Sequence, residues 1–124
     1  MSREKKFRAY SKTFNKMYFL DGFTMTKEGC GTCFFGGDGS FFTFGPNDVE
    51  ITEYTGFRDK HGTDIYEGDL LRTQRLDGVI WECEFDKGFF GFRRIGFEKE
   101  GRYGFRSDLG IIGNIYENKE LLNG

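Results

Sequence analysis

The passage Tyr54-Thr55-Gly56-Phe57-Arg58-Asp59-Lys60-His61-Gly62-Thr63-Asp64-Ile65-Tyr66-Glu67-Gly68-Asp69-Leu70-Leu71-Arg72 is the most regularly written part of this chain. Its first residues are aromatic and β-branched, the composition of a strand. Gly56 inside that run predicts a bulge or a close backbone approach. Asp59-Lys60-His61-Gly62 is a turn, since Asp bonds its own backbone two residues on and Gly takes a positive φ. Thr63 to Tyr66 resumes the strand, closing a tight hairpin. Glu67-Gly68-Asp69 turns the chain again, and Leu70-Leu71-Arg72 opens the next strand. The acidic residues bracket turns and do not share a face, so they read as turn caps rather than as catalytic groups.

Composition agrees. The chain has 124 residues, with 16 Phe, 6 Tyr, 19 Gly and one Pro. Strand formers abound and Ala is nearly absent, so helix is scarce. Glycine at this density, without a three-residue period, serves turns and bulges. The length suits one domain over 1–124, with subdomains expected at 1–66 and 67–124.

The formal net charge is −2, which argues against a surface built generally for nucleic acid. Residues 1–27 carry a net +5, residues 28–71 carry −7, and residues 72–124 balance. That asymmetry suits contacts within one molecule or between copies, though a solvated mixed surface is the plainer reading. No apolar run reaches 18 residues, so no membrane span is expected. No apolar run follows the basic start either, so no secretory leader is expected and the protein is placed in the cytosol of its cell, with reduced thiols.

Several segments elsewhere read as strands. Lys5 to Tyr10 alternates, with Phe7 and Ala9 on one face. Met17 to Leu20 and Phe23 to Thr26 flank Asp21-Gly22, which predicts a hairpin over 17–26. Cys33-Phe34-Phe35 and Phe41 to Phe44 flank Gly36-Gly37-Asp38-Gly39. That loop lacks the Lys-Ser/Thr and helix of a phosphate cradle and reads as a hairpin loop. Pro46-Asn47-Asp48 breaks the chain. Leu70 to Arg75 is a strand that Asp77-Gly78 turns. Val79, Trp81, Cys83 and Phe85 alternate as an inward face. Phe89 to Ile95 and residues 109–116 complete the set, and Asn118 is placed to cap one helical turn over Lys119 to Leu122.

The fold expected is mainly β: an N-terminal antiparallel sheet or partial barrel packed on a C-terminal SH3-like small β-barrel, with at most one or two short helical turns.

The central passage, Lys6-Phe7-Arg8-Ala9-Tyr10 with Lys16-Met17-Tyr18, and Ile112-Gly113-Asn114-Ile115-Tyr116-Glu117-Asn118 with Glu120-Leu121-Leu122 together resemble the YopX family, small proteins encoded by phages and prophages. The three blocks stand in the family's order and span nearly the whole chain. Lys119 replaces the family's usual Pro near the end. The resemblance implies an all-β fold, a viral or prophage origin and hence a bacterial host cytoplasm. It implies no particular activity. The motif residues Tyr54, Thr55, Gly56, Asp59, Gly62, Ile65, Tyr66, Gly68, Asp69, Gly113 and Asn114 are read as structural.

Cys30-Gly31-Thr32-Cys33 lacks the helix start that lowers a redox thiol's pKa. For zinc the ligand set would be Cys30, Cys33, His61 and Cys83, which lack the two close-spaced pairs of a structural site. A hairpin turn with two free thiols is the default, and no cofactor is expected. His61 is the one imidazole, with no nucleophile motif near it, so no catalytic residue is assigned and an enzyme is not expected. Phe89, Phe90, Phe92, Arg93 and Arg94, with Arg102, Tyr103 and Arg106, have the composition of a surface that stacks and tracks single strands. The alternative, preferred, is that the rings are core and the arginine heads reach outward. The leading reading is a non-catalytic protein-interaction module that self-associates or docks a partner by strand addition. A single-stranded nucleic-acid-binding barrel is the alternative, and a zinc-stabilised domain or an unrecognised enzyme the second.

Overall fold

A computed structural model describes residues 5–73 and 78–123. The protein is mainly β, with eleven strands among the described residues and two single 3-10 turns at Glu98–Glu100 and Lys119–Asn123. The chain divides into a unit Glu4–Glu53 and a unit holding Tyr54–Gly124, with the division inside one strand.

The first unit is an antiparallel sheet built from β1 (Phe7–Ser11), β2 (Lys16–Met25), β3 (Gly31–Phe35), β4 (Ser40–Phe44) and the first half of β5 (Val49–Arg58), in the order β4-β3-β2-β1-β5. Period-two alternation sends Ala9, Cys33 and Phe44 to one side, where Leu20, Phe23, Phe42, Val49 and Ile51 pack against them. Aromatic side chains take the place of aliphatic ones: Phe7 meets Phe23 edge-on at 5.2 Å, and Tyr18 meets Phe42 at 4.8 Å. Such ring pairs add to the burial of area itself.

The expected hairpin over 17–26 is not formed. β2 runs straight through Asp21-Gly22, where the register slips by one residue against β3. The turn chemistry of Asp-Gly loses here to tertiary pairing, because both sides of β2 find partners in β1 and β3. Asp21 instead turns its carboxylate to the Gly37 amide at 2.7 Å. The hairpin loop over Gly36–Gly39 is present, closed by Phe35 opposite Ser40.

In the second unit, the end of β5 pairs with β6 (Asp64–Tyr66) through a register shift between Tyr54 and Arg58. Five further strands follow: β7 (Asp69–Arg72), β8 (Trp81–Asp86), β9 (Phe89–Arg94), β10 (Arg102–Tyr103) and β11 (Gly110–Asn114), ordered β10-β9-β8-β7-β11. Among the described residues no pairing closes this sheet into a barrel, so the SH3-like detail is not seen. The core is Ile65, Leu71, Trp81, Cys83, Phe92 and Leu109, with Val79 and Ile111 against it. Burying each such large side chain contributes roughly 1.5–3 kcal/mol. Phe85 departs from the expected inward face: at the far end of β8 it is exposed and packs on Phe90 at 4.8 Å. The expected strand over 70–75 ends at Arg72, and its last residues and Asp77 of the turn lie outside the described residues.

The last turn forms over Lys119–Asn123, but the Asn118 side chain does not cap it. Asn118 Oδ1 reaches back to accept the Asn114 amide at 3.0 Å, while its backbone carbonyl accepts from Leu121.

Candidate functional site

The motif residues of the central passage come together in the second unit. Thr55 Oγ1 donates to the Ile65 carbonyl at 2.8 Å and accepts the Phe57 amide, holding the bulged strand to β6. Asp59 is 7% exposed. Its Oδ1 accepts the amides of His61 and Thr63, and its Oδ2 accepts the amide of Ile111, each at 2.9 Å. Burial alone would raise its pKa, but these amides outweigh it and the carboxyl is held below its ordinary range. Asp69 Oδ2 accepts the Tyr66 amide at 2.8 Å. Asn114 Oδ1 accepts the amides of Tyr116 and Glu117, and Asn114 lies opposite Asp69 in the β7–β11 pair. Gly68, at φ +93, leaves room for the Tyr116 ring, which a Cβ there would meet at 2.9 Å. Gly62 occupies the open turn and Gly113 stands against Asn118. These carboxylates are occupied with backbone donors, which suits them to holding turns and not to moving protons.

The metal candidates sit in different settings. Cys30 is half-buried at a turn, and its amide donates to Thr26 Oγ1 at 3.2 Å. Cys33 is fully buried in the first unit, and that burial pushes its thiol up to about 11. Cys83 lies in the core of the second unit, and His61 is exposed on the turn beside Asp59. Among the described residues no group of three or more His, Cys, Asp or Glu side chains is placed to hold a metal ion.

The basic and aromatic residues gather in two groups, on opposite faces of β8, β9 and β10. Trp81 lies opposite Arg94, Glu82 opposite Arg93, and Arg93 opposite Arg102. The buried Trp81 ring is met edge-on by Tyr103 at 5.4 Å, with the Arg106 and Arg94 guanidinium carbons 4.9 and 5.7 Å from its centroid. Arg94 also lies over Phe97 at 4.1 Å, and its Nε is buried with no hydrogen-bond partner. The four cations meet three anions, Arg93 and Arg102 sharing Glu84. Arg93 holds Glu84 at 2.7 Å, Arg94 holds Glu100 at 2.9 Å, and Arg106 holds Asp108 at 2.7 Å. Arg102 donates to the Phe89 and Asp86 carbonyls across the β8–β9 turn and covers the Phe89 ring at 4.0 Å. Its guanidinium is therefore a strap and not a free phosphate ligand.

The sequence named Arg93, Arg94, Arg102, Tyr103 and Arg106, and the structure divides them: Arg94, Tyr103 and Arg106 gather about the Trp81 ring, while Arg93 and Arg102 meet Glu84 on the opposite face of the sheet. The sequence missed Trp81 as the ring that Arg94, Tyr103 and Arg106 surround, and it missed the stacked pair Phe57–Phe105 at 4.5 Å, both exposed. No local pattern announces a contact between residues 48 positions apart. Of the Phe residues read as core, Phe92 is buried, Phe90 half-buried and Phe89 exposed.

Fold and patch together define a small mainly β protein whose recurrent motif residues hold turns and whose surface displays aromatic rings over paired charges. The chain belongs to the YopX family: the family model described as YopX protein matches residues 6–123. Among solved structures it is similar to protein EF1440 from Enterococcus faecalis, with a TM-score of 0.64 and 24% identity, over 98% of this chain and 99% of that one. It is also similar to protein yopX from Bacillus subtilis, with a TM-score of 0.63 and 17% identity, over 94% and 97%. At these identities the likeness concerns the fold. A search of curated proteins gives no match.

Proposed function

We propose that the chain is a non-catalytic protein-interaction module of phage or prophage origin, acting in the cytoplasm of a bacterial host by self-association or by docking a partner. The observation that carries this reading is the exposed aromatic surface whose neighbouring cations are already paired. Phe57, Phe97, Tyr103 and Phe105 are exposed, while Arg94 and Arg106 each hold a carboxylate. Rings with arginine beside them are common anchors of protein interfaces. Paired arginines present little net positive field to a phosphate backbone. Light scattering of the purified chain, and capture from a host extract with a tagged copy, test the reading. It predicts an oligomer or one specific retained partner, and a strict monomer that retains nothing would refute it.

Single-stranded nucleic acid is the second reading, supported by the Arg94 guanidinium over Phe97 and the Arg102 guanidinium over Phe89. On that reading a labelled oligonucleotide shifts at low salt, and binding falls steeply as salt rises.

A further inference from the structure

We propose that the open edge of the first unit's sheet, strand β4, is the docking site for an extended segment of a separate polypeptide with basic side chains at its ends, added as a further strand. The proposal rests on the interaction-module reading and gives it a place and a partner chemistry.

β4 is paired on one side only, with β3, and ends the sheet order. Among the described residues the backbone groups of Phe41 to Phe44 that face away from β3 have no partner. Proteins shield such edges with charged side chains, proline, a bulge or a covering loop. The sequence Ser40-Phe41-Phe42-Thr43-Phe44 has no charge and no proline, and its register with β3 is unbroken. The second unit treats the β11 edge of its sheet otherwise. There the turn after β5 covers β11, with the Asp59 carboxylate on the Ile111 amide and the Lys60 amide on the Leu109 carbonyl. One edge is closed by a built device and the other is left bare.

The side chains on the bare edge suit an added strand. Phe41 and Thr43 share one face of the sheet, and the Phe41 ring is 61% exposed beside Phe34 at 6.1 Å. Aromatic and β-branched residues are the kinds that pair well across neighbouring strands.

Charge decides the occupant. At one end of β4, Asp38 bonds Ser40, and Asp21 bonds the Gly37 amide. At the other end, Asp48 bonds the Gly45 amide. The Ser40 hydrogen bonds hold the Asp38 carboxyl below its ordinary range, so it stays ionised. None of these three carboxylates has an ion pair among the described residues. A second copy of β4 laid against the first, in either orientation, brings acidic ends beside acidic ends, which is unfavourable. A neutral strand flanked by lysine or arginine meets the opposite sign at both ends.

The test uses two labelled probe peptides on the full chain, KTVTVTK and ETVTVTE, read by fluorescence anisotropy at about 50 mM salt. The basic probe is expected to bind about tenfold tighter than the acidic one, a difference that salt reduces. Phe41→Lys, which charges the exposed face of the edge, is expected to weaken the basic probe about tenfold. Asp38→Asn, which keeps the turn to Ser40, is expected to weaken it several-fold and to leave the acidic probe unweakened. A basic probe N-methylated at alternate residues loses its backbone donors and is expected not to bind. Equal binding of the methylated probe, or an unchanged affinity in Phe41→Lys, overturns the proposal. So does a dimer of the chain that Phe41→Lys dissociates, because the occupant is then a second copy. Absence of basic-probe binding at about 1 mM also overturns it, while a partner still captured from the same preparation leaves the module reading standing.

Discussion

Asp59 and Ile111 are 52 positions apart, yet Asp59 Oδ2 accepts the Ile111 amide at 2.9 Å. The same carboxylate holds the His61 and Thr63 amides, so one side chain both closes the turn after β5 and ties it to β11. In Asp59→Asn, one oxygen remains for the turn, but an amide donor faces the Ile111 donor. The expected cost is about 1–3 kcal/mol, the scale of one charged hydrogen bond lost with its partner left unmet. Urea unfolding should show a lower midpoint with an unchanged slope. Amide exchange at Ile111 should speed up more than exchange at residues in β3.

Acid should weaken the fold through the same residue. The folded pKa of Asp59 is held below its ordinary value, because three amides outweigh the burial that would raise it. The unfolded chain therefore binds the proton more readily. The contribution is complete above the ordinary aspartate pKa, about 4, and is lost as pH falls through the depressed folded value. Asp59→Asn should flatten the stability profile below about pH 4. Glu82 has the opposite sign. Burial raises its pKa, and Glu84 and Glu67 raise it further against Arg93. Its ionised form costs stability above the raised pKa, and that cost disappears in acid. Glu82→Gln should therefore stabilise the protein at neutral pH, by no more than about 1 kcal/mol, read as a small rise in melting temperature.

The sequence carried the local half of this design. The turn at Asp59 to Gly62, the bulge at Gly56 and the hairpin loop over Gly36–Gly39 depend on residues within a few positions of one another, and turn chemistry reads them directly. Asp59 was legible as a turn residue but not as a partner of Ile111, since that bond exists only once β11 lies beside the turn. Asp21-Gly22 misled for the same reason. Its local preference is a turn, and pairing on both sides of β2 overrides it. Among the basic residues, type and neighbourhood marked Arg93 and Arg102, but their pairing with Glu84 and the Asp86 carbonyl is set by strand register. Whether an arginine is free or paired is thus a tertiary property.

The cysteines should differ in reactivity. Cys33 and Cys83 are buried, and burial pushes the Cys33 thiol up to about 11, so little thiolate forms at mildly alkaline pH. Cys30 is half-buried at a turn. With a disulfide-exchange reagent at about pH 8, the native chain should react at Cys30 first, and all three thiols should react after denaturation. Rapid native reaction of Cys33, read by peptide mapping, would contradict its place in the core of the first unit.

Two glycines of the first unit should answer the same substitution in opposite ways. At Gly31, on β3, an added Cβ would stand 1.9 Å from the Thr24 carbonyl oxygen and 2.8 Å from the Phe44 ring. The first of these is backbone of the neighbouring strand and cannot swing away, so Gly31→Ala must push β2 and β3 apart at Met25 opposite Gly31. The cost should be about 3 kcal/mol or more, within the class of core overpacking. At Gly22, on β2, nothing lies within 4 Å of the same added atom, and its φ is not positive. Gly22→Ala should leave stability unchanged or raise it by about 0.4–1 kcal/mol, by narrowing the unfolded ensemble. For a chain of this size each kcal/mol moves the melting temperature by roughly 3–6 °C. The two variants should therefore separate clearly in one calorimetric comparison, and equal melting temperatures would mean that β2 and β3 do not approach as closely as the Gly31 position requires.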